Sequence, residues 1–201
     1  MKYPYDSLPA FQEAFDHGVD AVKGDFRVSV DNVGMVMHSS PVEIYESINC
    51  YNKIVEEMTA EECKQCEMIN PTYHFMSVPD LLAWANERVN VMLCVKEKHD
   101  IPRAISTVLE NNASHRTFLE LHVDEFINTA TNNVTGWDEV YYVIEVYDTM
   151  DIDRIFDFDC ENALKRSFLF EFQDYETWPN VSDDIERVRA KGIRTMTKSN
   201  S

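Results

Sequence analysis

No run of apolar residues in this 201-residue chain approaches the roughly 20 needed to span a bilayer, and the start, Met1-Lys2-Tyr3-Pro4-Tyr5-Asp6, has no stretch of signal-peptide type. A cytoplasmic protein without a membrane span is the expectation. Basic residues are scarce, 18 Lys and Arg against 36 Asp and Glu, for a formal net charge of −18. A field of that sign repels phosphate backbones and anionic headgroups, so nucleic acid is not expected as a partner and any anionic ligand needs a local basic pocket. No Gly-, Ser- or Pro-rich tract marks a linker, and a single domain over residues 1–201 is predicted. No second pair accompanies Cys63-Lys64-Gln65-Cys66, which argues against a zinc site and for two cysteines along one helix face. Cys50, Cys63, Cys66, Cys94 and Cys160 are odd in number and scattered, unlike a secreted disulfide framework.

What the sequence does contain is an alternation of two hydrophobic periods. Leu8, Phe11, Ala14 and Phe15 recur at helical spacing, with Ser7 as cap, Pro9 in the first turn and Gly18 past the end. Residues 21–30 then alternate with period two, and the turn Asp31-Asn32-Val33-Gly34 leads into an extended segment from Met35 to His38. Helices are predicted over 60–68, capped by Thr59, and over 78–87, capped by Ser77. Val89 to Lys96 is almost continuously apolar and reads as a strand buried on both faces. Strands over 118–123, 140–146, 167–172 and 193–197 follow, with helices over 102–109, 152–165 and 184–191. This rhythm predicts an α/β protein on a parallel sheet or barrel.

Ligands gather at the carboxyl ends of strands in such sheets. Asp25, His38, Lys96, His122, Glu145 and Glu171 each stand near the end of an extended stretch, where a structural strand more often finishes in Ser, Thr or Gly. Alternation puts Glu120 on the same strand face as His122.

Pro4-Tyr5-Asp6-Ser7-Leu8-Pro9-Ala10-Phe11, His17-Gly18-Val19-Asp20, Ala21-Val22-Lys23-Gly24-Asp25-Phe26-Arg27 and Gly34-Met35-Val36-Met37-His38-Ser39 fall in order on P-E-N-T-L-x-A-F, G-A-D, I-E-x-D-V-R and G-x-x-V-x-H-D. In these segments the chain resembles the glycerophosphodiester phosphodiesterase family. Residues 58–63 are similar to its L-T-x-x-E-L, residues 75–82 to its I-P-T-L-x-E-x-L, and residues 88–97 to the strand that carries E-x-K. Gly192 to Asn200 is similar to the late W-T-x-N strand, while between about 99 and 191 only the strand–helix rhythm supports the likeness. The resemblance implies a TIM-barrel-like α/β fold of the phospholipase-C-like phosphodiesterase type. It also implies hydrolysis of glycerophosphodiesters to glycerol 3-phosphate and an alcohol. The metal would sit on the acids of E-x-D and E-x-K, with histidines from H-R-G and H-D as general acid and base.

Carried onto this chain, the pattern holds in part. E-x-D falls on Lys23 and Asp25, H-D on His38 and Ser39, and E-x-K on Cys94 and Lys96. The H-R-G strand is expected before Pro4 and a closing segment after W-T-x-N, so the expectation is an incomplete barrel lacking both. A single carboxylate beside an ammonium is a poor site for a hard cation. No cofactor is therefore expected, and Mg²⁺ or Ca²⁺ only where later-strand carboxylates rebuild a site. His38 and Lys96 are the catalytic candidates, Lys23 and Lys96 the substrate-binding ones, and Asp25, Glu145 and Glu171 the metal ligands, with Glu120 as a further carboxylate. Lys23, Lys96 and His38 holding a phosphate directly is one reading of the cations, and Lys23 paired with Asp25 is the other.

The functional expectation is a divergent glycerophosphodiester phosphodiesterase-like protein that binds or acts on a small phosphodiester or phosphate compound, with metal-dependent hydrolysis impaired. A non-catalytic interaction protein on the same scaffold and a truncated fragment of an active phosphodiesterase are the alternatives. Strand edges left open by missing segments predict pairing with a second copy as a homodimer.

Overall fold

The computed structural model describes residues 2–158, 164–173 and 175–198, and the chain divides into two compact units, residues 1–117 and 118–201. The first unit contains α1 (Leu8–Asp16), β1 (Ala21–Val28), β2 (Gly34–Val36), α2 (Ala60–Lys64), β3 (Met76–Ser77), α3 (Val78–Ala85), β4 (Asn90–Val95) and α4 (Ile101–Glu110). Its strand order is β3-β2-β1-β4. β1 and β4 are parallel, in register from Ala21↔Asn90 to Phe26↔Val95. β2 runs antiparallel to β1, and β3 antiparallel to β2, which corrects the all-parallel expectation. The cause is the short link between β1 and β2: a parallel return needs a dozen or more residues, and a tight turn permits only a reversal. Asn32 makes that turn at φ 62, and the Ser29 hydroxyl accepts the Val33 N–H at 3.1 Å.

The predicted caps form as chemistry requires. The Ser7 hydroxyl accepts the Ala10 N–H at 3.3 Å, and Thr59 with Glu62 and Ser77 with Asp80 make capping boxes. One face of β1 presents Val22, Gly24 and Phe26 to the packed side. A Cβ on Gly24 would meet Leu81 and Val36 at 3.3 Å, so only glycine allows this close approach without a shift. The other face carries Lys23, Asp25 and Arg27, and its register partners on β4 are Met92 and Cys94. β4 is accordingly buried on one face only: Val91 and Leu93 are sealed, while Met92 and Cys94, on the ionisable face, are half-buried.

Between β2 and β3 the chain builds a satellite core from Met35, Met37, Val55, Met58, Cys63 and Phe75. α2 stops at Lys64, short of the predicted end, and Cys66 forms a disulfide with Cys50 across a separation of 16 residues. This corrects the expectation of unbridged cysteines; the partners lie on irregular backbone, where no periodicity brings their Cβ atoms into bonding range. A disulfide is the bond of an oxidising compartment, and it stands in tension with the cytoplasmic expectation. Cys63 packs unbridged in the same core, and burial, assisted by Asp31, pushes its thiol up to about 11, which makes it inert at neutral pH.

The second unit contains β5 (Thr117–His122), α5 (Val123–Thr131), β6 (Tyr141–Val146), α6 (Thr149–Asp157), β7 (Ser167–Gln173), α7 (Val181–Ala190) and β8 (Arg194–Lys198). Its strands follow one another in chain order and all pair in parallel. α5 was not predicted: its Asn- and Thr-rich second half has weak helix propensity, and burial of Val123 and Phe126 decides in its favour. Cys160 and part of the helix predicted over 152–165 lie outside the described residues, as do residues 199 and 200 of the late-strand motif. Among the described residues no helix is long and apolar enough to cross a membrane.

Candidate functional site

In the first unit, β1 and β4 bring Asp25 and Lys96 together. Lys96 Nζ lies 2.6 Å from Asp25 Oδ1 and donates to Cys94 Sγ at 3.3 Å. Burial pulls the Lys96 ammonium down, but Cys94 and Asp25 outweigh it and hold its pKa above the ordinary lysine value. The backbone locks this corner: the Lys96 N–H donates to the Phe26 carbonyl at 3.2 Å, and the Met37 N–H to the Asp25 carbonyl at 3.0 Å. His38 therefore follows directly on a residue bonded to Asp25. The buried Arg27 fixes it further, donating from Nε to the His38 carbonyl at 2.9 Å while its guanidinium pairs with Glu56 at 3.3 Å and Glu97 at 3.6 Å. The His38 ring shares a hydrogen bond at 2.9 Å with the Ser39 hydroxyl through Nδ1.

Two residues join this corner that sequence reasoning assigned no role. Asp6, with φ 58, accepts the Asp25 N–H at 3.3 Å and is only 6% exposed. Burial, and then the Asp25 carboxylate beside it, raise its pKa well above the ordinary carboxylate range. The shift favours the protonated form, in which the buried Oδ2 would offer an O–H donor beside the Asp25 carboxylate. A signal for it exists: Asp6 falls on the Asn of P-E-N-T, and a protonated aspartate offers the same donor–acceptor pair as an asparagine. The second residue is Tyr5, whose ring meets the His38 ring edge-on at 5.8 Å. Burial, and then the Glu46 carboxylate, push its phenol well above the usual range.

The residues at Asp25 do not fit a hard divalent cation. Its Oδ1 is occupied by an ammonium, and its register partner is the thiol of Cys94 rather than an acid. Lys23 stands two residues before Asp25 on the same strand face, opposite Met92.

In the second unit, Glu120, Glu145 and Glu171 project from β5, β6 and β7 and each offers a carboxylate oxygen within 4.8 Å of the others. Register explains the meeting: Glu145 stands opposite Glu171, and Glu120 two residues earlier along the same face. Glu120 and Glu171 are buried, and Glu145 accepts from the Gln173 amide at 2.9 Å. His122 serves the backbone here, capping α5 by accepting the Asp124 N–H at 3.2 Å through Nδ1.

The family model for glycerophosphoryl diester phosphodiesterases matches residues 1–193. No curated protein sequence matches the chain. Among solved structures, a glycerophosphoryl diester phosphodiesterase from Parabacteroides distasonis is similar, with a TM-score of 0.79 at 16% identity over 97% of this chain. The chain spans 66% of that protein's length, just under two thirds. A glycerophosphodiester phosphodiesterase from Agrobacterium tumefaciens gives 0.71 at 15% identity, over 100% of this chain and 83% of its own. An Oleispira antarctica phosphodiesterase, solved in complex with the product sn-glycerol-3-phosphate, gives 0.74 at 12% identity over 98% and 79%. The fold is thus the α/β, TIM-barrel-like one of these structures, and the match over nearly the whole chain shows that it belongs to the glycerophosphoryl diester phosphodiesterase family.

Proposed function

We propose that this family member binds a small phosphodiester at the Asp25, Lys96 and His38 corner without a metal ion there, and that hydrolysis of the ordinary metal-dependent kind is impaired. The observation that carries the reading is the 2.6 Å ion pair between Lys96 and Asp25. An ammonium has three N–H donors; one goes to Asp25, one to Cys94, and the third remains for a phosphoryl oxygen. Lys96 neutralises Asp25, and burial beside the Asp25 carboxylate disfavours a second negative charge on Asp6. Such a corner tolerates a singly charged phosphodiester better than a dianionic monoester. His38 is the proton-transfer group, and Lys23, on the Asp25 face, is the second binding cation. The sn-glycerol-3-phosphate bound as product in the Oleispira structure supports a glycerol phosphate compound as the wider ligand class. One family model running through both units supports their working as one domain.

A specific observation favours a second reading for the metal. Three carboxylates with ligand oxygens within 4.8 Å, Glu120, Glu145 and Glu171, form the donor set a hard divalent cation takes. Held there, Mg²⁺ or Ca²⁺ would supply Lewis-acid polarisation of a phosphoryl oxygen. Following choline release from glycerophosphocholine with millimolar Mg²⁺ or Ca²⁺ separates the two readings. Turnover far below the ordinary enzyme range of about 1 to 1,000 per second is expected. A rate inside that range, abolished by EDTA and lost in Glu171→Gln, would overturn the impairment and favour a rebuilt metal site.

A further inference from the structure

At the amino ends of β1 and β4, the opposite end of these strands from Asp25 and Lys96, the first unit holds a cavity of about 440 Å³, within the size range of small-ligand sites. Asp20, Glu87, Arg88, Asn90, His115 and Arg116 line it. Backbone pairing ties three chain segments together there. The Asn90 side chain donates to the Asp20 carbonyl at 3.0 Å, and the Val91 N–H donates to the Arg116 carbonyl at 2.9 Å. Two carboxylates and two guanidiniums thus share one cavity, yet among the described residues none of the four enters an ion pair. Arg116 donates from Nη2 to the Leu82 carbonyl at 3.3 Å, and its buried Nε meets no acceptor, so its charge is answered by a single neutral oxygen. A charged donor left so poorly matched beside a cavity calls for a partner from outside the chain.

We propose that this cavity binds a small zwitterion of the amino-carboxylate class, with Arg88 and Arg116 on its carboxylate and Asp20 and Glu87 on its ammonium. A guanidinium fork matches a carboxylate in geometry as well as in charge, and an ammonium has three N–H donors for carboxylate oxygens. The four protein charges cancel in sum, so a ligand of one sign meets as much repulsion as attraction. A zwitterion meets attraction at both ends. Being neutral overall, it also escapes the repulsion that a chain of net charge −18 imposes on anions. The site lies apart from the Asp25, Lys96 and His38 corner, and the proposal does not rest on the phosphodiester reading.

The test titrates the full chain by NMR, at constant ionic strength, with glycine, β-alanine and 4-aminobutyrate, which set the same two charges at three spacings. Butyrate and butylamine, with one charge each, are the controls. The backbone amides of Arg88, Asn90 and Arg116 report on the cavity. At least one zwitterion is expected to bind about tenfold more tightly than either control. Arg88→Gln and Glu87→Gln, both at exposed positions, should each weaken that binding at least about fivefold, while His38→Ala leaves it unchanged. Neither variant should move the melting temperature, because neither side chain is in an ion pair within the chain. Binding no tighter than that of the controls, no shift with any of the three, or an affinity that both variants leave intact overturns the site and makes the four charges a solvated face. Loss of binding in His38→Ala overturns it equally, by moving the ligand to the strand-end corner.

Discussion

The two units each gather acids at the ends of parallel strands and treat them in opposite ways. In the first, Asp25 is ion-paired with Lys96, and burial with the Asp25 carboxylate beside it raises the pKa of Asp6 and disfavours its charged form. In the second, three glutamates bring carboxylate oxygens within 4.8 Å of one another, the arrangement that suits a hard cation. The difference lies in which residue occupies each register position. Cys94 and Lys23 take the positions that carry acids in the family pattern, while β5, β6 and β7 supply one glutamate each on a shared face. The family fold is thus compatible with different residues at these strand positions.

The largest expected effect follows from removing the cation ion-paired with Asp25. Lys96→Met leaves the Asp25 charge partly buried without its 2.6 Å partner, and should cost about 2 to 3 kcal/mol, below the range for fully buried pairs because Lys96 keeps contact with solvent. Denaturant unfolding checks this, and the double variant Lys96→Met, Asp25→Asn should recover most of the loss. A single variant as stable as the parent would mean that the pair contributes nothing to the neutrality of this unit.

A smaller effect sharpens the contrast from the other side. A cation that binds only the folded chain raises its stability. Millimolar Ca²⁺ should raise the melting temperature by a few degrees, equivalent to about 1 to 2 kcal/mol. The rise should survive Asp25→Ala and disappear in Glu171→Gln. Dependence on Asp25 instead would erase the distinction between the units.

The smallest effect concerns protons. Asp6 in the folded chain holds its proton above the ordinary aspartate value of 3.8, so the folded state binds more protons than the unfolded state between that value and its own raised one. Its stabilisation is complete below the ordinary value and is lost as pH rises through the raised one. Asp6→Asn keeps the acceptor for the Asp25 N–H and the donor to the carboxylate, and asparagine tolerates the positive φ. The variant should therefore match the parent in acid and exceed it at higher pH, with a flatter stability profile. A parallel fall in both would show that another group titrates.

Much of this was legible in residue order. The caps Ser7, Thr59 and Ser77 announce their helices, because a hydroxyl before an apolar run satisfies an orphan N–H wherever the chain folds. Period-two alternation placed Lys23, Asp25 and Arg27 on one face of β1. What the residues did not disclose were pairings that depend on irregular backbone. Cys50 and Cys66, or Tyr5 and Glu46, meet through loops that carry no period, and α5 forms against a weak local propensity. Likewise Asp25 has two lysines within reach in sequence terms, and it is the cross-strand register with β4 that gives it Lys96.

The most direct test of the central claim is calorimetry of glycerophosphoglycerol binding, carried out once in EDTA and once in Mg²⁺. Lys96 stands where the family pattern puts its metal-site lysine and already neutralises Asp25, so the affinity should be the same in both solutions. It should fall about tenfold in His38→Ala, the worth of one charge-assisted hydrogen bond. Binding that appears only when Mg²⁺ is added would contradict the account, because the phosphate site would then require the ion that Lys96 is held to replace.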